Sequence, residues 1–181
     1  MVSNSLETKR TSSFANNFFW QKRFIPEIKS IMAKHIITES EHYVDCQEAT
    51  DLVVLRNKIS SIACRVRKYG FADRYPNEFT IRKGLASGAK TELEKINSGF
   101  CDLYFYGHSS KNGMNIESYV VLDMDVFRET LIAADDERKK FLFRNQSKTP
   151  TGEEFIAFNV NDFSPRFLLD RRNNRKSYPP F

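Results

Sequence analysis

The stretch ATDLVVLRNKISSIACRVRK, residues 49–68, is typical of two β-strands joined by a short polar turn, NKIS. Asp51 opens the first strand. Arg65 and Arg67 alternate along the second strand, so their side chains share one face of it. An acid on one strand and guanidinium groups on the other are the first indication of a polar site.

The elements around this strand pair alternate between helical and extended patterns. A helix precedes it in residues 16–36, where Pro26 suits a first turn and Ile28, Ile31 and Met32 recur at helical spacing. Seven further segments follow in the chain. They are a short strand (EFTIR, 78–82), a glycine-containing loop (KGLASGAK, 83–90), a helix closed by Gly99 (TELEKIN, 91–97), two strands (CDLYFYGH, 101–108, and ESYVVLDM, 117–124), a helix (DVFRETLIAA, 125–134) and a last strand (FIAFNV, 155–160). This order predicts an α/β fold in which helices flank a mixed β-sheet.

The length of 181 residues favours one domain with extended ends. We expect a flexible N-terminal arm over residues 1–18, an α/β domain over 19–170 and a basic C-terminal tail over 171–181. The arm is rich in Ser, Asn and Thr, and the tail RRNNRKSYPPF combines four basic residues with two prolines.

Composition sets broad limits on the class of protein. The net charge of +5 and the pI near 9.1 permit an anionic partner without requiring one. Three widely spaced cysteines favour a reduced, cytoplasmic protein over a disulfide framework. Because no segment has the ~20 consecutive apolar residues of a membrane span, we expect no membrane association.

The order of elements over residues 24–107 resembles the PD-(D/E)XK nuclease superfamily, which has the restriction-endonuclease-like fold. In that superfamily a helix glutamate, a strand aspartate and an acid-x-lysine motif surround one or two Mg²⁺ ions. Glu27 matches the helix acid and Asp51 matches the strand aspartate. The resemblance implies a restriction-endonuclease-like core and a metal-dependent nuclease that uses Mg²⁺ or Mn²⁺.

The acid-x-lysine motif is degenerate in this chain. It would fall in ACRVRK, where Arg65 and Arg67 stand instead, and an arginine cannot bind a metal ion. Some members of the superfamily carry the missing group on the following helix, where Glu92 lies at the edge of the apolar face marked by Leu93. The predicted metal ligands are Asp51, Glu92 and Glu27, and the predicted catalytic residues are Asp51, Glu92, Arg67 and Lys90.

A second interpretation is a catalytically inactive protein of the same fold that binds nucleic acid or a protein partner. The geometry around Asp51 separates these two interpretations: an acid such as Glu92 converging on Asp51 favours the nuclease, and a salt bridge from Arg65 or Arg67 at the metal position favours binding without cleavage. A purely structural interpretation is also open, in which Asp51 caps a turn and Glu92 pairs with Lys95 or Lys90 on the surface. The residues predicted to contact nucleic acid, with DNA favoured over RNA, are Arg65, Arg82, Lys83, Arg171 and Arg172.

Aromatic residues offer two candidate stacking surfaces for nucleic acid. Arginines interleaved with Tyr69, Tyr75 and Phe79 are typical of a nucleic-acid-binding face, although a solvated charged surface has the same composition. The run Tyr104–Phe105–Tyr106 resembles the platforms of single-strand binders, but in a central strand such residues more often form core. A homodimer is a further expectation from the resemblance, and a small chain with a degenerate motif would suit a phage or mobile element.

Overall fold

The computed structural model describes residues 19–34, 37–39, 52–54, 61–85 and 88–173, with the backbone alone described for 37–39 and 52–54. The chain divides into two compact units, Met1–Ile59 and Ser60–Phe181, where the sequence analysis expects one domain over 19–170. Asp51 and most of the predicted arm and tail lie outside the described residues, so the predictions for them stay predictions.

The first unit contains helix α1 (Ile25–Ala33) and strands β1 (Ile37–Glu39) and β2 (Leu52–Val54), which pair antiparallel. Pro26 lies in the first turn of α1, where its missing N–H costs no hydrogen bond. Ile28 and Met32, one turn apart, are buried, and this confirms the predicted apolar stripe. Glu27 lies in the first turn of the same helix and is half-buried.

The second unit holds the remaining elements. They are β3 (Ile62–Arg67), α2 (Phe71–Arg74), β4 (Glu78–Gly84), α3 (Glu92–Asn97), β5 (Leu103–Ser109), β6 (Ile116–Asp123), α4 (Met124–Ala133), α5 (Asp136–Leu142), β7 (Gln146–Lys148), β8 (Glu154–Asn159) and β9 (Leu168–Arg172). Two short 3-10 helices, Val160–Asp162 and Pro165–Phe167, connect β8 to β9.

The strands of the second unit form two sheets. A mixed sheet has the order β3-β5-β6-β9, in which β3 and β5 are parallel and the other pairs are antiparallel. An antiparallel sheet has the order β4-β8-β7. The predicted mixed α/β class is therefore confirmed, whereas the single sheet expected from the sequence is replaced, in the described residues, by separate sheets. Both strands predicted in residues 49–68 form, as β2 and β3. However, β2 pairs with β1, and β3 pairs with β5, so each strand of the predicted hairpin has another partner.

A phenylalanine-rich core joins the two sheets of the second unit. Phe79 from β4 packs against the rings of Phe158 and Phe127 at centroid distances of 5.4 and 6.3 Å, and Phe163 and Phe167 close the same cluster. Phe79 has no exposed surface. Its predicted place on a nucleic-acid-binding face is therefore wrong, because its side of β4 faces the core.

Local signals place the helix that carries Glu92. Thr91 accepts a hydrogen bond from the backbone of Glu94, and the Glu94 carboxylate accepts one from the backbone of Thr91, so a capping box begins α3. At the other end Gly99 has φ +81°, which lets the chain turn out of the helix. Ile96 is fully buried, and Leu93 packs against the core, as the sequence predicts.

The basic C-terminal tail begins later than the sequence indicates. Strand β9 ends at Arg172, so the first two residues of the predicted tail are part of the sheet. Among the described residues, no helix combines the length and the apolar character needed to cross a membrane.

Candidate nucleic-acid interface

Glu92 lies at the centre of a polar network between the two sheets of the second unit. Its Oε2 accepts hydrogen bonds from Arg65 Nη2 at 2.6 Å and from the backbone N–H of Arg82 at 2.9 Å. Its Oε1 lies 3.0 Å from the hydroxyl of Tyr104, which also lies 3.1 Å from the carbonyl oxygen of Thr80. Both oxygens of the carboxylate are therefore engaged by groups of the protein itself.

The ion pair between Arg65 and Glu92 is largely shielded from solvent. The exposed fractions of the two side chains are 13% and 23%. Burial alone lowers the pKa of the Arg65 guanidinium, but the neighbouring Tyr104 and Glu92 raise it above its ordinary value, so Arg65 stays charged. Burial, followed by the negative charge of Glu92, raises the pKa of the Tyr104 hydroxyl well above its ordinary value, so this hydroxyl keeps its proton.

This geometry does not favour Glu92 as a metal ligand. Mg²⁺ requires free carboxylate oxygens and keeps several of its waters, whereas a buried guanidinium occupies the position beside Glu92. Within the described residues no group of three or more His, Cys, Asp or Glu side chains is arranged to hold a metal ion. Asp51 lies outside that part of the chain and Glu27 belongs to the first unit, so the magnesium site stays a prediction.

The predicted basic residues of β4 and of the loop before α3 differ in their partners and their exposure. Arg82 forms an ion pair with Glu153 at 3.5 Å, and Lys83 forms one with Glu154 at 3.7 Å. Lys90 is exposed in the loop before α3. These contacts make Arg82 and Lys83 part of a charged network along β4 and β8, and their predicted role in nucleic-acid binding stays a prediction.

Arg171 and Arg172, predicted as tail contacts, belong to β9, where Arg171 is half-buried and Arg172 is exposed. Arg171 Nη1 lies 3.4 Å from Asn77 Oδ1, and its Nε and Nη2 are buried without a hydrogen-bond partner. Arg172 donates to the carbonyl of Ile116 and lies over the ring of Tyr119, 5.0 Å from its centroid. Both arginines fasten β9 to its surroundings, a role that composition alone does not reveal.

Arg67 differs from Arg65, although both lie on one face of β3. Its guanidinium stacks on Phe71, 4.4 Å from the ring centroid, and in the described part of the chain it has no acidic partner. It lies opposite His108 in the parallel pairing of β3 with β5. Arg67 therefore lies at the carboxyl ends of two parallel strands, where α/β proteins commonly bind ligands.

The chain that follows Arg67 forms one short polar and aromatic surface. We call it the 67–75 surface, after its ends. Its members are the cations and rings of one continuous segment: Arg67, Lys68, Tyr69, Phe71, Arg74 and Tyr75. Lys68 and Arg74 are exposed, and neither forms an ion pair with another described residue. Asp73 is the one acid within the segment, which leaves three cations against one carboxylate.

His108 lies beside this surface and titrates at unusually low pH. The imidazole is buried, and its Nδ1 lies 3.1 Å from Ser118 Oγ. Burial first, and the positive charge of Arg67 second, lower the pKa of His108 to about 4, against a smaller opposing effect of Asp73. His108 is therefore neutral near pH 7 and adds no charge to the 67–75 surface.

This shift predicts a loss of stability in mild acid. Because the unfolded histidine titrates near pH 6.5, the unfolded state binds more protons than the folded state between pH 6.5 and 4. We expect the free energy of unfolding to fall through this window by up to about 3 kcal/mol. Urea titrations of the wild type and of His108→Gln from pH 7 to 4.5 measure it. The free energy of unfolding should fall more steeply with decreasing pH in the wild type than in His108→Gln, and parallel profiles would contradict the assignment.

A cleft of about 950 Å³, which the sequence pattern does not predict, lies between α4 and α5. Its lining combines cations with apolar side chains and includes Arg128, Leu131, Lys139, Lys140, Phe143 and Arg144. Acids lie beside three of the cations: Arg128 pairs with Asp125, Lys140 with Glu137 and Arg144 with Asp162. The basic run DERKKFLFR, residues 136–144, is the sequence feature that corresponds to this cleft, but its spacing alone does not predict a helix.

No family model, curated protein or solved structure matches this chain. The resemblance to PD-(D/E)XK nucleases therefore stays an expectation from the order of elements, and function is argued from the geometry of the described residues.

Proposed function

We propose that this protein binds nucleic acid through the 67–75 surface and does not use Glu92 for metal-dependent cleavage. The observation that carries the proposal is a set of three cations, Arg67, Lys68 and Arg74, that have no acidic partner among the described residues and are interleaved with two exposed tyrosines. Nucleic acid offers both of the chemical groups that such a surface recognises, because phosphates attract cations and bases stack on aromatic rings.

The geometry of Arg67 supports a contact with phosphate. Stacking on Phe71 restricts the guanidinium without using its N–H donors, so the donors remain available for a bidentate contact. Arg65 provides the contrast, since its guanidinium is committed to Glu92. The two arginines that share one face of β3 therefore have different roles, one structural and one in binding.

The Arg65–Glu92 ion pair supports the binding interpretation at Glu92. A guanidinium 2.6 Å from this carboxylate disfavours metal binding there, because a fixed positive charge opposes the binding of a divalent cation. The criterion derived from the sequence concerns Asp51, which lies outside the described residues.

Metal-dependent cleavage is the second candidate. The parallel pairing of β3 with β5, with α3 between them in the chain, supports it, because the resemblance implies a strand, a helix and a further strand in that order. The test is incubation of the purified protein and its Asp51→Ala variant with DNA and RNA in Mg²⁺ or Mn²⁺. Cleavage by the wild type that is lost in Asp51→Ala would establish a nuclease.

Loss of Arg67 should weaken binding in a salt-dependent way. Each phosphate neutralised on duplex DNA contributes about −0.9 to the slope of log K against log salt, so Arg67→Ala should make the slope shallower by about one unit. Titration of labelled oligonucleotides at several salt concentrations measures this slope.

A matched control is Lys95→Ala, which removes an exposed cation from α3 and should leave the slope unchanged. Equal effects of the two substitutions would mean that net charge, and not the 67–75 surface, governs binding. If the wild type binds no oligonucleotide even at low salt, the proposed function is wrong.

A further inference from the structure

We infer that the 67–75 surface is specific for single-stranded nucleic acid and that bases stack on Tyr69 and Tyr75. This inference rests on the proposed function and names its substrate class. The exposed fractions of the two tyrosines are 48% and 46%, and in the described part of the chain neither hydroxyl has a hydrogen-bond partner. About half of each tyrosine is therefore accessible to a ligand.

The rings of this segment continue the stack that begins at Arg67. The Arg67 guanidinium lies 4.4 Å from the centroid of Phe71, and the Phe71 ring lies 6.4 Å from that of Tyr75, with their planes tilted by 34°. The row therefore runs from a guanidinium through a half-buried ring to an exposed ring. A base that stacks on Tyr75 would extend this row, with Arg67 and Arg74 available for the flanking phosphates.

A turn that requires glycine follows Tyr69 in the chain. Gly70 has φ +87°, a conformation that residues with a side chain rarely adopt, and it separates Tyr69 from the first residue of α2. The chain thus leaves β3 at Arg67, presents Tyr69 before the turn and presents Tyr75 at the end of α2.

Stacking on exposed tyrosines discriminates between strand states. In a duplex the faces of the bases are covered by their neighbours, so a duplex offers such rings only its backbone and groove edges. In a single strand the faces are free, so bases can stack on exposed aromatic side chains. The other aromatic candidate, Tyr104–Phe105–Tyr106, is buried and takes no part.

The experiment compares two probes with matched variants. The probes are a labelled oligothymidylate of about 20 nucleotides, which exceeds common single-strand site sizes, and a mixed-sequence duplex of similar length. At low salt the wild type should bind the single strand more tightly. The double variant Tyr69→Ala/Tyr75→Ala should bind the single strand about 10- to 100-fold more weakly and the duplex within about twofold of the wild type.

Two further variants show whether the rings act by stacking. Tyr69→Phe/Tyr75→Phe keeps the rings and should retain single-strand affinity within about threefold. Phe100→Ala removes an exposed ring outside this segment and should leave both affinities unchanged. Because both tyrosines are half-exposed, the variants should fold, and circular dichroism with thermal melting verifies this.

The failures of the two proposals are distinguishable. If Tyr69→Ala/Tyr75→Ala leaves single-strand affinity unchanged, or weakens both probes equally, the inference is wrong. The proposed function still stands in that case if Arg67→Ala weakens binding and Lys95→Ala does not. If the wild type binds neither probe at low salt, both proposals fail.

Discussion

Replacing Glu92 with alanine should lower the free energy of unfolding by about 3–5 kcal/mol, because it leaves Arg65 as a buried charge without its partner. The hydroxyl of Tyr104 and the backbone N–H of Arg82 lose an acceptor in the same step. Urea denaturation in the presence of a chelator measures the change without any contribution from metal ions.

Two controls make this result specific to the ion pair. Glu129→Ala removes an exposed helix acid whose partner Arg166 is 3.9 Å away and also exposed, so it should cost less than about 0.5 kcal/mol. The double variant Arg65→Met/Glu92→Leu removes both charges and should be more stable than Glu92→Ala.

If Glu92→Ala does not lower the stability, this result would support the nuclease interpretation for Glu92. Carboxylates that gather around a metal ion repel one another without it, so removing one of them relieves repulsion. If Glu92→Ala is as stable as the wild type in chelator, Glu92 is not the structural acid that its contacts with Arg65 and Tyr104 indicate.

Replacing Phe79 with alanine should cost about 3–5 kcal/mol, because it opens a cavity at the centre of the core. Phe79 has no exposed surface, and it contacts rings from β8, α4 and the segment between β8 and β9. The surrounding rings come from several elements, so they cannot all move inward to fill the space. The midpoint of urea denaturation should fall markedly.

Phe100→Ala is the matched control, because Phe100 is 68% exposed and its truncation leaves no cavity. If Phe79→Ala and Phe100→Ala change stability equally, Phe79 is not a core residue. Its predicted place beside Tyr69 and Tyr75 on a binding face would then have to be reconsidered.

Local sequence patterns are sufficient to place several elements of this protein. The apolar stripe of α1 and the terminal glycine of α3 depend on residues within about one or two helical turns, so spacing alone reveals them. The β-prone runs behind β3, β5, β6 and β8 were identified for the same reason, since alternation and β-branched or aromatic content are local properties.

The pairing of the strands and the meeting of polar groups depend on the tertiary structure. Arg65 and Glu92 are separated by 27 positions, and no local pattern distinguishes Arg65, which pairs with an acid, from Arg67, which has no acidic partner within the described ranges. Phe79 and Tyr75 likewise have similar aromatic contexts in the chain, yet one is buried and the other is exposed. These outcomes depend on the face that each strand turns toward the second sheet, which packing between distant segments fixes.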